Sequence, residues 1–278
     1  MIEMNDTFLV SISTFFYFFG ALVFFAAFVF QKRSMQNAAI LFVVGGFSIE
    51  TAAIIIRWAF SYQMGFGHAP LSNLYESLVF FSWSVVVILF ATWKRHRNDI
   101  IGTLASFFAF ILLAYASLSG NVTTQIQPLI PALQSNWLIS HVVSSFLAYA
   151  CFAISFITSI LYLIRVRAGR RIERILPDYD VFDDLGYRIT SIGFVLLSLG
   201  IITGAVWADT AWGRYWGWDP KETWSLITWM IYGAYIHARL ARGWKGTSMA
   251  LISIIGFIAV IFTYLGVNYI LSGLHSYM

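Results

Sequence analysis

Charge is what this chain has least of. Of its 278 residues only 11% are Asp, Glu, Lys or Arg, against 59% hydrophobic and 18% aromatic. Soluble domains carry about 25% charged residues, so this composition excludes a water-exposed globular surface. Cysteine is almost missing as well: Cys151 stands alone inside an apolar run. One thiol excludes an intrachain disulfide and a CxxC redox pair, so thiol chemistry has to come from a partner. There is no phosphate-cradling glycine loop, low-complexity tract or internal repeat, and the basic residues form no separate patch. Nucleic acid is thereby excluded as a partner.

What the chain does have is apolar runs, with a mean hydropathy of +0.76. A bilayer core about 30 Å thick takes about 20 apolar residues of helix. Runs of that kind lie near 8–30, 38–60, 74–93, 101–118, 137–164, 187–207, 223–240 and 248–270. Backbone groups in lipid must bond within their own segment, so the runs predict helices and not strands. The expected fold is all-α: a polytopic membrane bundle of about eight transmembrane helices, with residues 1–278 as a single membrane domain. The first run is long, lacks a basic start and ends at Gln31-Lys32-Arg33 without a small-residue cleavage site, unlike a signal peptide.

Fourteen of the seventeen Lys and Arg residues fall in or beside the loops after the first, third, fifth and seventh runs. Only Arg57, Arg214 and Lys221 belong to the other side. Positive loops stay cytoplasmic, which places both termini on the outer face. The stretch 170–186 turns from basic to acidic (Asp178, Asp180, Asp183, Asp184) and reads as a solvated helix and connector.

The informative segment is the outward-facing loop at 208–224. Trp212, Trp216, Trp218 and Trp224 fall within thirteen residues, interleaved with Gly213 and Gly217. One interfacial tryptophan is a belt anchor. Four exceed what anchoring needs, and indole walls with glycine backbone suit a large planar aromatic ligand. Arg214 and Lys221 offer cations for carboxylates on its rim. Asp219-Pro220-Lys221-Glu222 carries a rival signal: an N-cap, a proline at the first helical position and a capping-box acid. For Asp219 and Glu222 capping is preferred over ligand contact.

Five histidines remain. His141 lies one turn inside the outer end of the fifth run and His275 just past the eighth, both level with the tryptophan loop. Two neutral imidazoles on opposite sides of a porphyrin iron would complete its axial shell, although composition alone does not separate haem from a quinone. His237 sits near the cytoplasmic end of the seventh run, about 22 Å along a helix from the loop, where snorkelling to the surface competes with a functional role. His68 precedes the third run, where Ser72, Asn73 and Glu76 are capping groups. His96 belongs to a basic loop and carries no assignment.

These residues resemble a known family. The segment Gly67-His68-Ala69-Pro70-Leu71-Ser72-Asn73-Leu74-Tyr75-Glu76-Ser77, the segment Trp137-Leu138-Ile139-Ser140-His141-Val142, the tryptophan block through Leu226-Ile227 and the stretch from Asn268-Tyr269 to His275 are similar to the CcsA/ResC family (CcsB in many bacteria). These are the multispanning subunits of system II cytochrome c biogenesis. The block is the WWD signature of haem-handling proteins, shared with CcmC and CcmF. The Asp-Pro-Lys-Glu-Thr-Trp-Ser-Leu-Ile continuation and the modest length favour CcsA.

The resemblance implies that His141 and His275 are the outer axial ligands of haem b, and that His237 serves haem within the membrane. It implies a cytochrome c synthase subunit of the bacterial cytoplasmic membrane with its active loop on the periplasmic face. Such a subunit presents haem to the Cys-Xaa-Xaa-Cys-His thiols of apocytochrome c, with no catalytic residue of its own. It further implies a separate ResB-like membrane subunit, because the large outer portion of fused relatives is absent here. The competing readings are a CcmC-like loader of a haem chaperone and a secondary transporter unrelated to haem. Inverted repeats and broken helices would mark the transporter, and neither is evident.

Overall fold

The computed structural model describes residues 6–120, 122–168 and 176–270, and among them every regular element is helical. Eight long helices follow in order: α1 (Asp6–Phe30), α2 (Arg33–Gln63), α3 (Leu74–His96), α4 (Asp99–Leu118), α5 (Asn136–Ala168), α6 (Tyr179–Trp212), α7 (Pro220–Arg242) and α8 (Thr247–Ile261). A short 3₁₀ turn (Pro131–Leu133) precedes α5. A π-helical segment (Phe262–Gly266) and a last turn α9 (Val267–Ile270) continue α8.

Each apolar run of the sequence has become one helix, but the ends follow capping chemistry more than hydropathy. Helix α6 starts at Tyr179, eight residues before its apolar run, because Asp178 caps it and accepts the Tyr179 N–H at 2.8 Å. The acidic connector is therefore largely the first two turns of α6. Among the described residues, seven helices are long and apolar enough to cross a membrane. The eighth, α7, has 23 residues, length enough to span, yet Lys221, Glu222, Arg239 and Arg242 at its ends reduce its apolarity.

Two compact units divide the chain, one through Gln134 and one from Ser135. In the first, α1 and α2 approach closely because Gly45 and Gly46 give way to Phe16 and Tyr17: a Cβ at either glycine would lie 2.8 Å from those rings. Both α3 and α4 begin on asparagine caps, Asn73 accepting from the Glu76 N–H and Asn98 from the Ile100 and Ile101 N–H groups. Glu76 reaches back to the Ser72 N–H and hydroxyl, both at 2.8 Å.

The same Glu76 also receives Arg57 Nε at 2.8 Å, while Arg57 Nη1 holds Asp6 at 2.7 Å and its guanidinium lies 5.0 Å from the Tyr75 ring centroid. The three charged side chains are each at most 8% exposed. One cation thus joins the ends of α1, α2 and α3. His68 ties the loop beside them, with Nδ1 at 2.9 Å from the Ala69 carbonyl and Nε2 at 2.9 Å from that of Gln127. Carbonyl oxygens occupy both ring nitrogens, a structural role that leaves His68 unsuited to bind iron.

In the second unit, α6 presents Gly186, Gly193, Gly200 and Gly204 to α5. A Cβ at these positions would meet Thr158, Cys151 and Phe152, Ser145, and the His141 ring, all within 3.0 Å. The first three glycines are spaced by seven residues, the repeat that keeps one seam of a helix against its neighbour. At the opposite end, Asp183 receives Arg239 Nη1 at 2.6 Å and the Gly246 N–H at 2.9 Å, so α6 holds the turn between α7 and α8.

Removing the cation from the first unit strands two buried carboxylates. Arg57→Ala is expected to destabilise the protein by about 3–5 kcal/mol, whereas Arg188→Ala, which breaks the half-exposed pair with Asp184, is expected to cost under about 1 kcal/mol. Thermal unfolding of both variants in the same detergent checks the contrast.

Candidate functional site

The site grows from the last turns of α6. Trp207 is 2% exposed and stacks on His141 of α5, with ring centroids 5.9 Å apart and planes inclined by 20°. Trp212 meets Trp207 edge-on at 4.9 Å. His141 is half-buried, and its Nδ1 lies 2.7 Å from the Gly200 carbonyl oxygen. A carbonyl only accepts, so Nδ1 carries the proton and the ring lone pair belongs to Nε2. Such a backbone bond fixes the tautomer of a metal-binding imidazole and orients its ring. Gly204 makes the approach possible, since a Cβ there would lie 2.5 Å from Nδ1.

Helix α6 ends at Gly213, whose φ of +71° suits a left-handed C-cap and whose N–H returns to the Asp209 carbonyl at 2.8 Å. The loop that follows is organised by Glu222. One of its oxygens accepts the Gly217 N–H at 2.7 Å and the Asp219 N–H at 3.2 Å. Between those two anchored amides stands Trp218, with φ at +57° and 68% exposed. A bulky side chain in the left-handed region is strained, and such strain collects at functional sites. Trp216 meets Trp218 edge-on at 5.8 Å. Arg214 is exposed and folds over Gly217, where a Cβ would lie 2.7 Å from its Nε.

Asp219 is buried and accepts the Lys221 N–H at 2.9 Å. Asp219 and Glu222 form the capping box that opens α7, with Pro220 at the first helical position. Lys221 is half-buried, and loss of water around its ammonium pushes its pKa down to about 8 against the opposing pull of Asp219. Trp224 packs on Phe262, ring centroids 4.2 Å apart, at the start of the π-helical segment. Pi-helical turns inside α-helices gather at functional positions.

The structure therefore joins His141, Trp207 and Trp212 in one string, and pairs a half-buried Trp216 with the exposed Trp218. His237 is separate. It lies seventeen residues into α7 on an exposed face, near the end where Arg239 pairs with Asp183. His275 lies outside the described residues. Sequence reasoning missed Trp207, Gly200 and Gly204; the seven-residue spacing of Gly186, Gly193 and Gly200 along α6 was the signal that could have found Gly200.

A multi-pass helical membrane protein with a strained tryptophan loop beside an oriented histidine is the class defined so far. Comparison with known proteins narrows it. Residues 71–275 match the model of the cytochrome c assembly protein family. A CcsA cytochrome c biogenesis protein of Chlamydomonas reinhardtii is 44% identical over 232 residues, covering 81% of this chain and 64% of the relative. That of Prochlorococcus marinus strain MIT 9215 is 38% identical, with 89% and 86% covered, and that of Synechococcus sp. strain JA-2-3B'a(2-13) is 34% identical, with 98% and 93% covered. The chain belongs to the cytochrome c assembly protein family. Among solved structures, the cytochrome c haem lyase CcmF shares the fold, with a TM-score of 0.74 at 15% identity. The match covers 95% of this chain but only 47% of CcmF, about half its length.

Gly204→Ala should drive its methyl into the His141 ring and cost about 1–3 kcal/mol, the usual cost of overpacking. Pairing it with His141→Ala should recover most of that loss, because the ring is what the methyl strikes; additive losses in the double variant would refute the contact. For Lys221 the sign follows from its lowered pKa. The unfolded chain holds the proton more tightly, so the cost of burying the ammonium is full at neutral pH and fades as pH rises through 8. Wild-type melting temperature should accordingly gain on that of Lys221→Met between pH 7 and 10.

Proposed function

We propose that this chain is the haem-handling membrane subunit of a system II cytochrome c synthase. In this reading it carries haem b to the outer face of the membrane and holds it there for attachment to apocytochrome c. The observation that carries the proposal is His141: its Nδ1 is committed to the Gly200 carbonyl beside the Trp207–Trp212 string. That arrangement gives Nε2 the lone pair a haem iron requires. An exposed indole at Trp218 and the exposed guanidinium of Arg214 suit the flat face and carboxylate rim of a porphyrin.

His275 is assigned as the second outer ligand by its resemblance to the family's histidine after the last span. When bound, haem supplies vinyl groups to which the two thiols of a Cys-Xaa-Xaa-Cys-His segment add. The chain's residues do other work. His141 would hold the group through Nε2, the tryptophans would keep water from it, and Arg214 would pair with its carboxylates, so that the thiols could meet it in one orientation. His237 fits an entry-side role: on an exposed face of α7 it is accessible to a neighbouring subunit. A ResB-like protein is the proposed source of its partner. The positive-inside pattern supports a loop on the periplasmic side of the bacterial cytoplasmic membrane, with both termini outward.

Maturation of a reporter apocytochrome, measured with a ResB-like subunit co-expressed, tests the proposal. His141→Ala and His275→Ala should each abolish attachment, and added imidazole should partly restore it. His237→Ala should lower the haem reaching the outer site while leaving that site able to take haem supplied from outside. Full attachment in His141→Ala would remove the ligand assignment. Haem loading with no attachment in the reconstituted wild type would favour the CcmC-like chaperone loader, and protein without a Soret band would favour a transporter.

A further inference from the structure

The first four helices contain a carboxyl group that the haem site does not use. Glu50 lies in the middle of α2, seventeen residues after Arg33 and thirteen before Gln63, and is 0% exposed. By helix rise it is about 20 Å or more from either end. Its Oε2 accepts a hydrogen bond of 2.5 Å from the Tyr17 hydroxyl of α1, itself wholly buried. Its Oε1 has no hydrogen-bond partner among the described residues. Ser82 of α3 faces the carboxyl within range of a weak hydrogen bond to it, and its Oγ has no partner of good geometry among the described residues.

Among the described residues Glu50 has no counter-ion at hand. Seven residues on, and so about 10 Å along the same helix, Arg57 is engaged by Asp6 and Glu76. On α4 the one charged residue, Asp99, is held by Gln36 at the opposite end of the unit, and Tyr115 is exposed. A bare carboxylate at that depth is expensive, and such a residue is a functional candidate before it is a structural one.

Between Glu50 and Arg57 the unpartnered atoms continue. The Tyr75 hydroxyl is buried without a hydrogen-bond partner and lies within electrostatic range of Glu50, Arg57, Asp6 and Glu76. Arg57 Nη2 is also buried and unpartnered. Beside it is a cavity of about 10 Å³ lined by Asp6, Arg57, Tyr75 and Glu76, room for one water molecule. Seven buried side-chain polar atoms of this unit lack a hydrogen-bond partner among the described residues, and native interiors satisfy such groups by protein or by ordered water. Four of them, on Arg57 and Glu50 seven residues apart in α2 and on Tyr75 and Ser82 seven apart in α3, run from the end of these helices to their middle.

We propose that this line is a water file, and that Glu50 is a proton-accepting site inside the membrane. Water molecules bridge Arg57 Nη2, the Tyr75 hydroxyl, Ser82 Oγ and Glu50 Oε1. A proton enters at the Asp6–Arg57–Glu76 end, passes from water to water and forms the O–H bond on Oε1, leaving Glu50 neutral. Tyr17 keeps its own proton and continues to donate to Oε2. The reverse transfer returns the proton to the same end.

Infrared spectroscopy of the full chain in lipid nanodiscs tests this. The carbonyl stretch of a protonated carboxylic acid should be visible in the wild type and missing in Glu50→Gln. Should Glu50→Gln fail to fold, Glu50→Asp should show the band displaced. On transfer to D2O the wild-type band should shift at once, and Tyr75→Phe should slow that shift at least several-fold by breaking the file. A wild-type band that stays unshifted in D2O would make Glu50–Tyr17 a sealed structural bond and overturn the proposal. So would a shift whose rate is the same in Tyr75→Phe.

Discussion

Close approach of α5 and α6 is the constraint on which the second unit depends. Two helices packed through Leu or Phe keep about 8–10 Å between axes, too far for an imidazole on one to reach a backbone carbonyl of the other. The glycines at 186, 193, 200 and 204 remove that layer of side chains, and Ser145, Cys151, Phe152 and Thr158 fill the space from the α5 side. Only then can His141 bond the Gly200 carbonyl without leaving its own helix. The tautomer of the histidine is thus set by helix packing, and the tryptophan string beyond it inherits its position from the same seam.

A second device recurs in both units. Glu76 and Glu222 each sit at the third position of a helix opened by an Asn or Asp cap, and each reaches back to amides of the preceding loop. Identical local chemistry serves different ends. Glu76 is buried against Arg57 and binds three helices together. Glu222 accepts two loop amides and shapes the arch that carries Trp218. The context of the carboxylate, and not the capping motif, decides which of these it does.

Both motifs were legible in the sequence, since a cap is written in consecutive residues: Asp219 through Glu222, and Ser72 through Glu76. The eight helices were legible for the same reason, as each is one continuous apolar run. Contacts between helices were not. His141 and Gly200 are 59 residues apart, Tyr17 and Glu50 33, and Asp6 and Arg57 51. Whether such pairs meet depends on how each helix is rotated about its axis, which apolar composition on all faces leaves unspecified. Helix α7 shows the limit from the other side: the exposed orientation of His237 emerged only from the packing of Tyr232, Tyr235 and Ala238 inward. The π-helical turn at Phe262 has no sequence signature that a 3.6-residue period would reveal.

Trp218 has a kinetic consequence. Its backbone strain, about 1–3 kcal/mol for such a conformation, is already met by the folded chain through the two amides on Glu222. Under the proposed function, a flat partner arriving at the indole would find it in place, with no loop closure to wait for. Association at such a shelf is governed by collision and orientation, and differences in affinity are expressed in how long the partner stays. Glu222, whose carboxylate is taken up by the Gly217 and Asp219 amides, would in that reading act on the arrival step, because releasing its grip would turn a fixed surface into one that must be ordered at every encounter.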